Sequence, residues 1–218
     1  MDIASPSASS TNVQVPRQRR KEARRGELTA AALQLFVEKG FAATRLDDVA
    51  ARAGVSKGTL YLYFDSKEAL FKAVIQEGIV PILEEGASLV DNFEGKTADL
   101  LRALIHEWWN RIGNTLYGGV PKLMISESGN FPELAMYYHE AVITRGRDLM
   151  RRTLQRGIES SEFRSVDLET TIDVIFAPVL MMVIWRHSLG SCGCGSHDPA
   201  AYLATHLDLT LRGLLSPE

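Results

Sequence analysis

The chain has 218 residues, of which 45% are hydrophobic and 23% are charged. This is the composition of an ordinary globular protein, and its 2 cysteines are too few for a disulfide framework. The net charge is −3 but is divided unevenly: residues 1–78 hold 12 Lys and Arg against 9 Asp and Glu, whereas residues 79–218 hold 12 against 18. A basic N-terminal part on an acidic body is typical of an end that faces nucleic acid.

Neither a membrane nor a catalytic role is indicated. The first residues, MDIASPSASS, lack the basic start and apolar run of a secretory signal. The longest apolar stretch, VIFAPVLMMVIW at 174–185, is shorter than the ~20 residues that a membrane-spanning helix needs. No nucleophile elbow, phosphate loop or HExxH motif occurs in the sequence. We therefore expect a cytoplasmic protein without a membrane partner, which is not an enzyme and needs no cofactor.

The N-terminal region is predicted to begin with a tail and a basic helix. Residues 1–16, rich in Ser, Ala and Pro, predict a disordered tail. The segment PRQRRKEARRGE follows, and its cations from Arg17 to Arg25 form either a DNA-contacting arm or a solvated face. The helix after them is predicted to end at Gly40. Its apolar residues recur at helical spacing: Leu28, Ala32, Leu35 and Phe36.

A helix-turn-helix is predicted within residues 17–66. Thr44 is expected to start a second helix and to cap it with its hydroxyl. Gly54 supplies a tight turn of about three or four residues, and Ser56 is placed to cap the next helix. Within that third helix Leu60 and Phe64 share one face, so both are predicted to lie in the core.

The remainder, residues 67–218, is predicted to be a helical ligand-binding and dimerisation domain. Its apolar spacing shows no strand-like alternation, so we expect an all-α chain of about nine helices. Pro178 lies in the middle of a predicted helix and should kink it. The predicted helices of this part cover residues 67–93, 97–116, 120–128, 132–159, 167–189 and 198–214.

The segment TRLDDVAARAGVSKGTLYLYFDSKEALFKAVI, residues 44–75, resembles the N-terminal DNA-binding domain of TetR/AcrR-type transcriptional regulators. The resemblance implies a homodimer that binds a palindromic operator in double-stranded DNA and usually represses transcription. It also implies that a small-molecule effector in the C-terminal domain releases the DNA, and that the last two helices form the dimer.

Two groups of DNA-contacting residues are expected on this helix-turn-helix, because its second helix enters a major groove. Those expected at the phosphate backbone are Thr44, Arg45, Tyr61, Tyr63 and Lys67. Those expected at base edges are Lys57, Gly58, Thr59 and Leu62.

An apolar effector pocket is expected among the central helices, where aromatic residues and Met can form a flexible wall. Packing within the core is the alternative for each of these residues. The candidate walls are Trp108, Ile112, Tyr117, Met124, Tyr138, Phe176 and Leu180. The candidate polar groups, which can equally lie on the surface, are His106, Glu107, Arg111 and Glu127.

The last two helices are predicted to pair with their copies in a four-helix dimer interface. The alternative is that their apolar residues fill the core of one chain. The candidate interface residues are Ile172, Phe176, Val179, Met182, Trp185, Tyr202, Leu203, His206, Leu207 and Leu211.

The segment CGCGSHD brings two thiols and an imidazole together at Cys192, Cys194 and His197. Such a group can bind a soft metal or react with oxidants, which predicts an alternative way to switch the same DNA-binding fold. Because structural zinc needs four ligands and the spacing is not C-x-x-C, an ordinary loop is the competing interpretation.

Overall fold

The computed structural model describes residues 17–192 and 198–217. Within these ranges the chain is helical and contains no strand, apart from an isolated antiparallel bridge between Phe163 and Leu215. The α-helices are α1 (Arg17–Lys39), α2 (Leu46–Arg52), α3 (Lys57–Tyr61), α4 (Lys67–Gly78), α5 (Val80–Asn92), α6 (Thr97–Trp108), α7 (Gly119–Glu127), α8 (Pro132–Tyr138), α9 (Thr144–Glu159), α10 (Leu168–Ser188) and α11 (Pro199–Leu214).

The predicted all-α class and the helix count are confirmed. Helices α4 and α5 meet at Ile79, and a π-helical turn, His139–Ile143, joins α8 to α9 without a break. If α4 with α5 and α8 with α9 are each counted as one helical segment, the described residues form about nine helices. A second π-helical turn, Trp109–Gly113, continues α6, and a short 3₁₀ helix, Leu116–Gly118, precedes α7.

Two predicted helix boundaries are wrong. The helix predicted over 67–93 is interrupted at Ile79, because Pro81 occupies the first turn of α5, where its missing N–H costs no hydrogen bond. The helix predicted over 97–116 keeps α-helical hydrogen bonding only to Trp108 and then widens into the π turn.

Three residues of the helix-turn-helix have the roles that the sequence predicts. Gly40 ends α1 with a φ of 86°, and Gly54 has a φ of 66° in the turn after α2. The Ser56 hydroxyl accepts a hydrogen bond of 3.1 Å from the Thr59 N–H and caps α3. Leu60 and Phe64 are buried, as predicted.

The expected capping role of Thr44 is wrong. Helix α2 begins at Leu46, and the residue before it, Arg45, makes no side-chain cap. Thr44 is only 1% exposed, and its hydroxyl lies 2.7 Å from the Gly40 carbonyl oxygen and 3.2 Å from that of Leu35. Thr44 therefore ties the turn after α1 to the C-terminal end of that helix.

The buried apolar residues form two clusters. The first joins the inner faces of α1 to α4 with α7 and α8, through residues such as Val120, Leu123 and Met124. The second lies among α5, α6, α9, α10 and α11. Because α7 and α8 belong to the first cluster, the middle of the chain packs directly on the helix-turn-helix region.

Helix α10 carries exposed apolar side chains on its outward face. Among the described residues it is the one helix long and apolar enough to cross a membrane by length and composition alone, a test that the core helix of a soluble protein also passes. Only 28% of its most apolar window is buried within the chain. Pro178 lies inside this helix, which continues on both sides of it, and the predicted kink stays a prediction.

The hydroxyl of Thr44 gives a test of the fold. We expect Thr44→Val to lower the free energy of unfolding by about 1–2 kcal/mol, because carbonyl oxygens at the end of α1 lose a buried hydrogen bond. Thermal unfolding at one fixed protein concentration measures this, with Thr144→Val, which removes the same hydroxyl from an exposed position at the start of α9, as the control. Equal stability of the two variants would contradict the structural role of Thr44.

Candidate DNA-binding surface and ligand cavity

Helix α3 presents an open surface. Leu62 directly after it is 81% exposed and Tyr61 is 46% exposed, although both are large side chains with much apolar area. Lys57 and Gly58 are also exposed, and Thr59 is half-buried with its hydroxyl 2.8 Å from that of Ser56. The four predicted base-contacting residues thus lie on or directly after one short helix, within reach of a groove.

An ion pair links the two helices of this motif. The Lys57 ammonium lies 2.9 Å from the Asp47 carboxylate on α2, and the hydrogen bond to that carboxylate raises the pKa of Lys57. Both side chains are largely exposed, so the pair contributes little stability and is screened by salt. Lys57 therefore stays a cation that can exchange Asp47 for a nucleic-acid acceptor.

Two of the residues expected at phosphates, Thr44 and Lys67, form hydrogen bonds to backbone carbonyl groups of the protein instead. Thr44 is buried, and Lys67 donates hydrogen bonds of 2.6 Å and 3.1 Å to the carbonyl oxygens of Phe41 and Ala42. Partial burial lowers the pKa of Lys67, whose ammonium lies 4.4 Å from the centre of the Phe41 ring. The expected phosphate contacts of these two side chains do not fit this geometry. Of the other residues expected at phosphates, Arg45 is exposed and Tyr63 is half-buried.

The basic run at the start of α1 divides into two parts. Arg25 forms an ion pair with Glu77 on α4 and lies 4.9 Å from the centre of the Phe64 ring. Arg24 pairs with Glu27 at 2.6 Å. Arg19 and Lys21, in the first part of the run, are exposed.

The turn between α1 and α2 is held by a buried carboxylate from α7. Glu127 is only 7% exposed, and its Oε1 accepts a hydrogen bond of 3.1 Å from the Ala42 N–H. Next to it, the rings of Phe131 and Phe41 meet edge to face with centroids 4.7 Å apart. Glu127, a candidate polar group of the pocket, thus faces the helix-turn-helix instead.

A cavity of about 490 Å³ is lined in part by residues of α7. Five predicted pocket residues line it, namely Trp108, Met124, Tyr138, Phe176 and Leu180. Ile112 and Tyr117 do not line it: Ile112 is buried in the first cluster and the Tyr117 ring fills the space beside Gly78. The lining residues that the sequence did not indicate are Leu83, Pro121, Ile125, Ser128, Ala135, His139, Val142, Ile143, Gly146, Arg147, Ile172 and Asp173.

A second cavity of about 280 Å³ adjoins the first. The two share Leu83, Trp108, Gly146 and Phe176 as lining residues. The rings of Trp108 and Phe176 meet edge to face, with centroids 5.7 Å apart and planes at 86°. This aromatic pair therefore belongs to a wall common to both cavities.

Both π-helical turns lie at these cavities. The turn His139–Ile143 supplies three lining residues to the larger cavity, and Trp108 directly precedes the other turn. A π turn adds a residue to a helical turn and is frequent at functional sites. No spacing in the sequence marks these turns, which is why the residues they contribute were missed.

The arginines at the cavities are already paired. Arg147 forms ion pairs with Asp173 and with Glu169, the latter at 2.8 Å, and these hydrogen bonds raise the pKa of Arg147. Arg111, beside the smaller cavity, pairs with Glu85. Of the other candidate polar groups, Glu107 lines the smaller cavity and His106 is exposed. The cavities are thus apolar spaces whose arginine charges are balanced.

Most of the predicted dimer residues are covered by their own chain. In the described chain Ile172, Val179, Met182, Leu203, His206, Leu207 and Leu211 are buried in its own core, and Phe176 and Tyr202 are half-buried. A residue already covered within one chain has little surface to offer a second one. Of the predicted residues Trp185 remains exposed, and the outward faces carry three further apolar residues: Val174, Met181 and Leu209.

The cysteine loop is only partly described. Cys192 is exposed, and its thiol donates a hydrogen bond of 2.8 Å to the Leu189 carbonyl oxygen. Cys194 and His197 lie outside the described residues. No cluster of three or more His, Cys, Asp or Glu suited to a metal occurs in the described ranges. Metal binding and thiol oxidation at this loop stay predictions.

Known proteins match both parts of the chain. The family described as "Bacterial regulatory proteins, tetR family" matches residues 28–74, and "Tetracyclin repressor-like, C-terminal domain" matches residues 92–190. The HTH-type transcriptional repressor KstR2 of Rhodococcus jostii is 27% identical over 203 residues, which cover 90% of this chain and 94% of KstR2. The HTH-type transcriptional regulator YfiR of Bacillus subtilis is 30% identical over 161 residues, covering 72% of this chain and 76% of YfiR.

The fold is shared with a solved regulator. The transcriptional regulator FadR from Bacillus subtilis, in complex with stearoyl-CoA, superposes with a TM-score of 0.73 at 21% identity, covering 86% of this chain and 98% of FadR. These relatives are transcriptional regulators rather than enzymes. The chain therefore belongs to the TetR family and is a DNA-binding transcriptional regulator.

Proposed function

We propose that this protein is a homodimeric repressor that binds a palindromic operator and leaves it when an apolar or aromatic small molecule occupies the larger cavity. The observation that carries this proposal is the position of α7. Met124 and Ile125 of that helix line the cavity, while Glu127 at its end binds the turn that leads into α2. One short helix therefore contacts both the ligand space and the DNA-binding motif.

On the DNA side, α3 is the element that enters the major groove. Lys57, Gly58, Thr59 and Leu62 reach base edges, since they lie on or directly after α3. Other side chains, namely Arg45, Tyr61 and Tyr63, donate hydrogen bonds to phosphates. Thr44 and Lys67 act indirectly, by fixing the turn before α2.

The dimer forms through the outward faces of α10 and α11. Val174, Met181 and Trp185 form an exposed apolar stripe on α10, and Leu209 is 67% exposed on α11. Such a stripe on a globular chain favours burial against a second copy. Contact with a second copy would also cover the apolar side chains of α10 that one chain leaves exposed. Two recognition helices on one dimer then match half-sites related by a two-fold axis.

The release mechanism requires a ligand that binds two states of the protein with different affinity. Filling the cavity displaces α7, and the contacts of Glu127 and Phe131 carry that displacement to the turn at Phe41 and Ala42. The orientation of α2 and α3 changes with the turn, so the two recognition helices of a dimer no longer match adjacent grooves.

Relatives support the two halves of this proposal. KstR2 of Rhodococcus jostii is a repressor by name, and FadR from Bacillus subtilis binds stearoyl-CoA, a ligand with a long apolar chain. We place the boundary between the DNA-binding and ligand-binding domains at residues 66 and 67, where α4 begins. We also place the protein in the cytoplasm, where its operator is. The proposed tail, residues 1–16, lies outside the described residues.

Selection of operators from random duplex DNA tests the proposed function. The purified wild-type dimer should recover a palindrome, and Met181→Glu, which puts a charge on the proposed dimer face, should fail to do so. In titrations of that palindrome, Tyr61→Phe should weaken binding about threefold to tenfold for every sequence, because it loses one phosphate hydrogen bond. Lys57→Ala should instead change the preferred bases.

Two results would contradict this proposal. If wild-type dimer enriched no sequence at low salt, operator binding would be refuted. If Tyr61→Phe changed only the preferred bases, the assignment of phosphate and base contacts would be wrong.

The buried carboxylate of Glu127 gives a second test. We expect Glu127→Ala to leave the Ala42 N–H without its partner and so to speed amide exchange at Ala42. Operator binding should weaken about tenfold, which corresponds to a loss of ~1.4 kcal/mol of binding free energy. Glu133→Ala, which removes the same charge from an exposed position on α8, is the matched control. Equal operator affinity for the two variants would show that the α7 contact does not position the helix-turn-helix.

A further inference from the structure

Tyr138 is the polar residue of the larger cavity that the folded chain leaves without a partner. It is 7% exposed and lines the cavity at the end of α8. Among the described residues no side chain or backbone group forms a hydrogen bond with its hydroxyl. A phenol buried to this extent normally has such a partner.

The hydroxyl of Tyr138 reaches open space. In the described chain, two buried side-chain atoms are sealed from solvent and have no hydrogen-bond partner. They are the Nε2 atoms of His187 and His206. The Tyr138 oxygen is not one of them, so it touches accessible volume. The accessible volume that Tyr138 borders is the cavity of about 490 Å³.

Each of the other polar side chains at this cavity has at least one polar contact within the protein. Ser128 donates a hydrogen bond of 3.5 Å to the Ile125 carbonyl oxygen, and His139 lies 3.5 Å from the Thr144 hydroxyl. Arg147 and Asp173 pair with each other, and Arg147 also binds Glu169. An anionic ligand would therefore have to break the ion pairs of Arg147 before it could bind that guanidinium. A neutral ligand oxygen can bind the Tyr138 hydroxyl without breaking an ion pair.

The protonation state of the phenol agrees with this chemistry. Burial raises the pKa of Tyr138, so the group remains a neutral O–H at physiological pH. A neutral phenol donates one hydrogen bond and accepts others, which suits a carbonyl or hydroxyl oxygen. Around it, Leu83, Met124, Val142 and Phe176 provide apolar contact for the rest of a ligand.

We infer that Tyr138 is the polar anchor of the effector site, and that the effector class is an uncharged, mainly apolar molecule with one carbonyl or hydroxyl oxygen directed at Tyr138. This inference rests on the proposed function, since it names the ligand chemistry of the same cavity. It makes Tyr138 a specificity-determining residue: a site built to hydrogen-bond an oxygen discriminates against the hydrocarbon that lacks it.

Three probes of similar shape test the inference: methyl naphthyl ketone, ethylnaphthalene and naphthoate. Binding to wild-type protein, Tyr138→Phe and Tyr137→Phe is measured by calorimetric titration. Tyr137 is the matched control, because its hydroxyl bonds to the Lys72 carbonyl oxygen and Tyr137 does not line the cavity. Loss of a hydroxyl is nearly isosteric in both variants.

In wild-type protein the ketone should bind tightest of the three. Tyr138→Phe should weaken ketone binding about threefold to tenfold, the size of one net hydrogen bond, and leave ethylnaphthalene binding unchanged. Tyr137→Phe should bind all three probes as wild type does.

Contrary results separate the two proposals. If wild type and Tyr138→Phe bound the ketone equally, or if naphthoate bound tightest to wild type, the role given to Tyr138 would be overturned while an apolar effector site would stand. If none of the probes bound wild-type protein, the cavity would not be such a site, and both this inference and the ligand half of the proposed function would fall.

Discussion

The turn at residues 40–44 is the constraint on which the DNA-binding motif depends. Its backbone groups are satisfied from two directions: Glu127 of α7 accepts from the Ala42 N–H, and Lys67 of α4 donates to the carbonyl oxygens of Phe41 and Ala42. The Phe41 ring lies among Phe36, Phe71 and Phe131. Because these contacts tie the turn to α4 and α7 at once, a reorientation of α2 has to exchange them for others.

This arrangement gives the cavity a physical route to the recognition helix. The α7 residues that line the larger cavity are Pro121, Met124 and Ile125, and Glu127 at the end of the same helix binds the turn. Well-packed helices respond to a filled cavity by shifting as units. In the proposed mechanism a ligand acts on α3 without touching it, provided that it binds the shifted state more tightly than the DNA-bound one. In the proposed dimer, the outward apolar face of α10 contacts the second copy, which gives the two recognition helices a fixed spacing.

The sequence predicted what depends on local spacing and missed what depends on distant contacts. Apolar periodicity located the helices, and Gly40, Gly54 and Ser56 marked turns and a cap because their roles are local. Thr44, Lys67 and Glu127 looked like surface or DNA-facing residues, because their partners are carbonyl or amide groups that folding brings near. Helix α10 is apolar all round, so no helical periodicity could separate its buried face from its outward one. The π turns carry no sequence signal, which hid Val142 and Ile143 from the predicted pocket.

The central claim is that cavity and DNA surface are coupled through α7, and linkage makes the most direct test reciprocal. The affinity of wild-type dimer for methyl naphthyl ketone would be measured with and without a saturating amount of the selected operator duplex. We expect the duplex to weaken ketone binding by the same factor by which the ketone weakens operator binding. Ketone binding that is equally tight with and without the operator would contradict it.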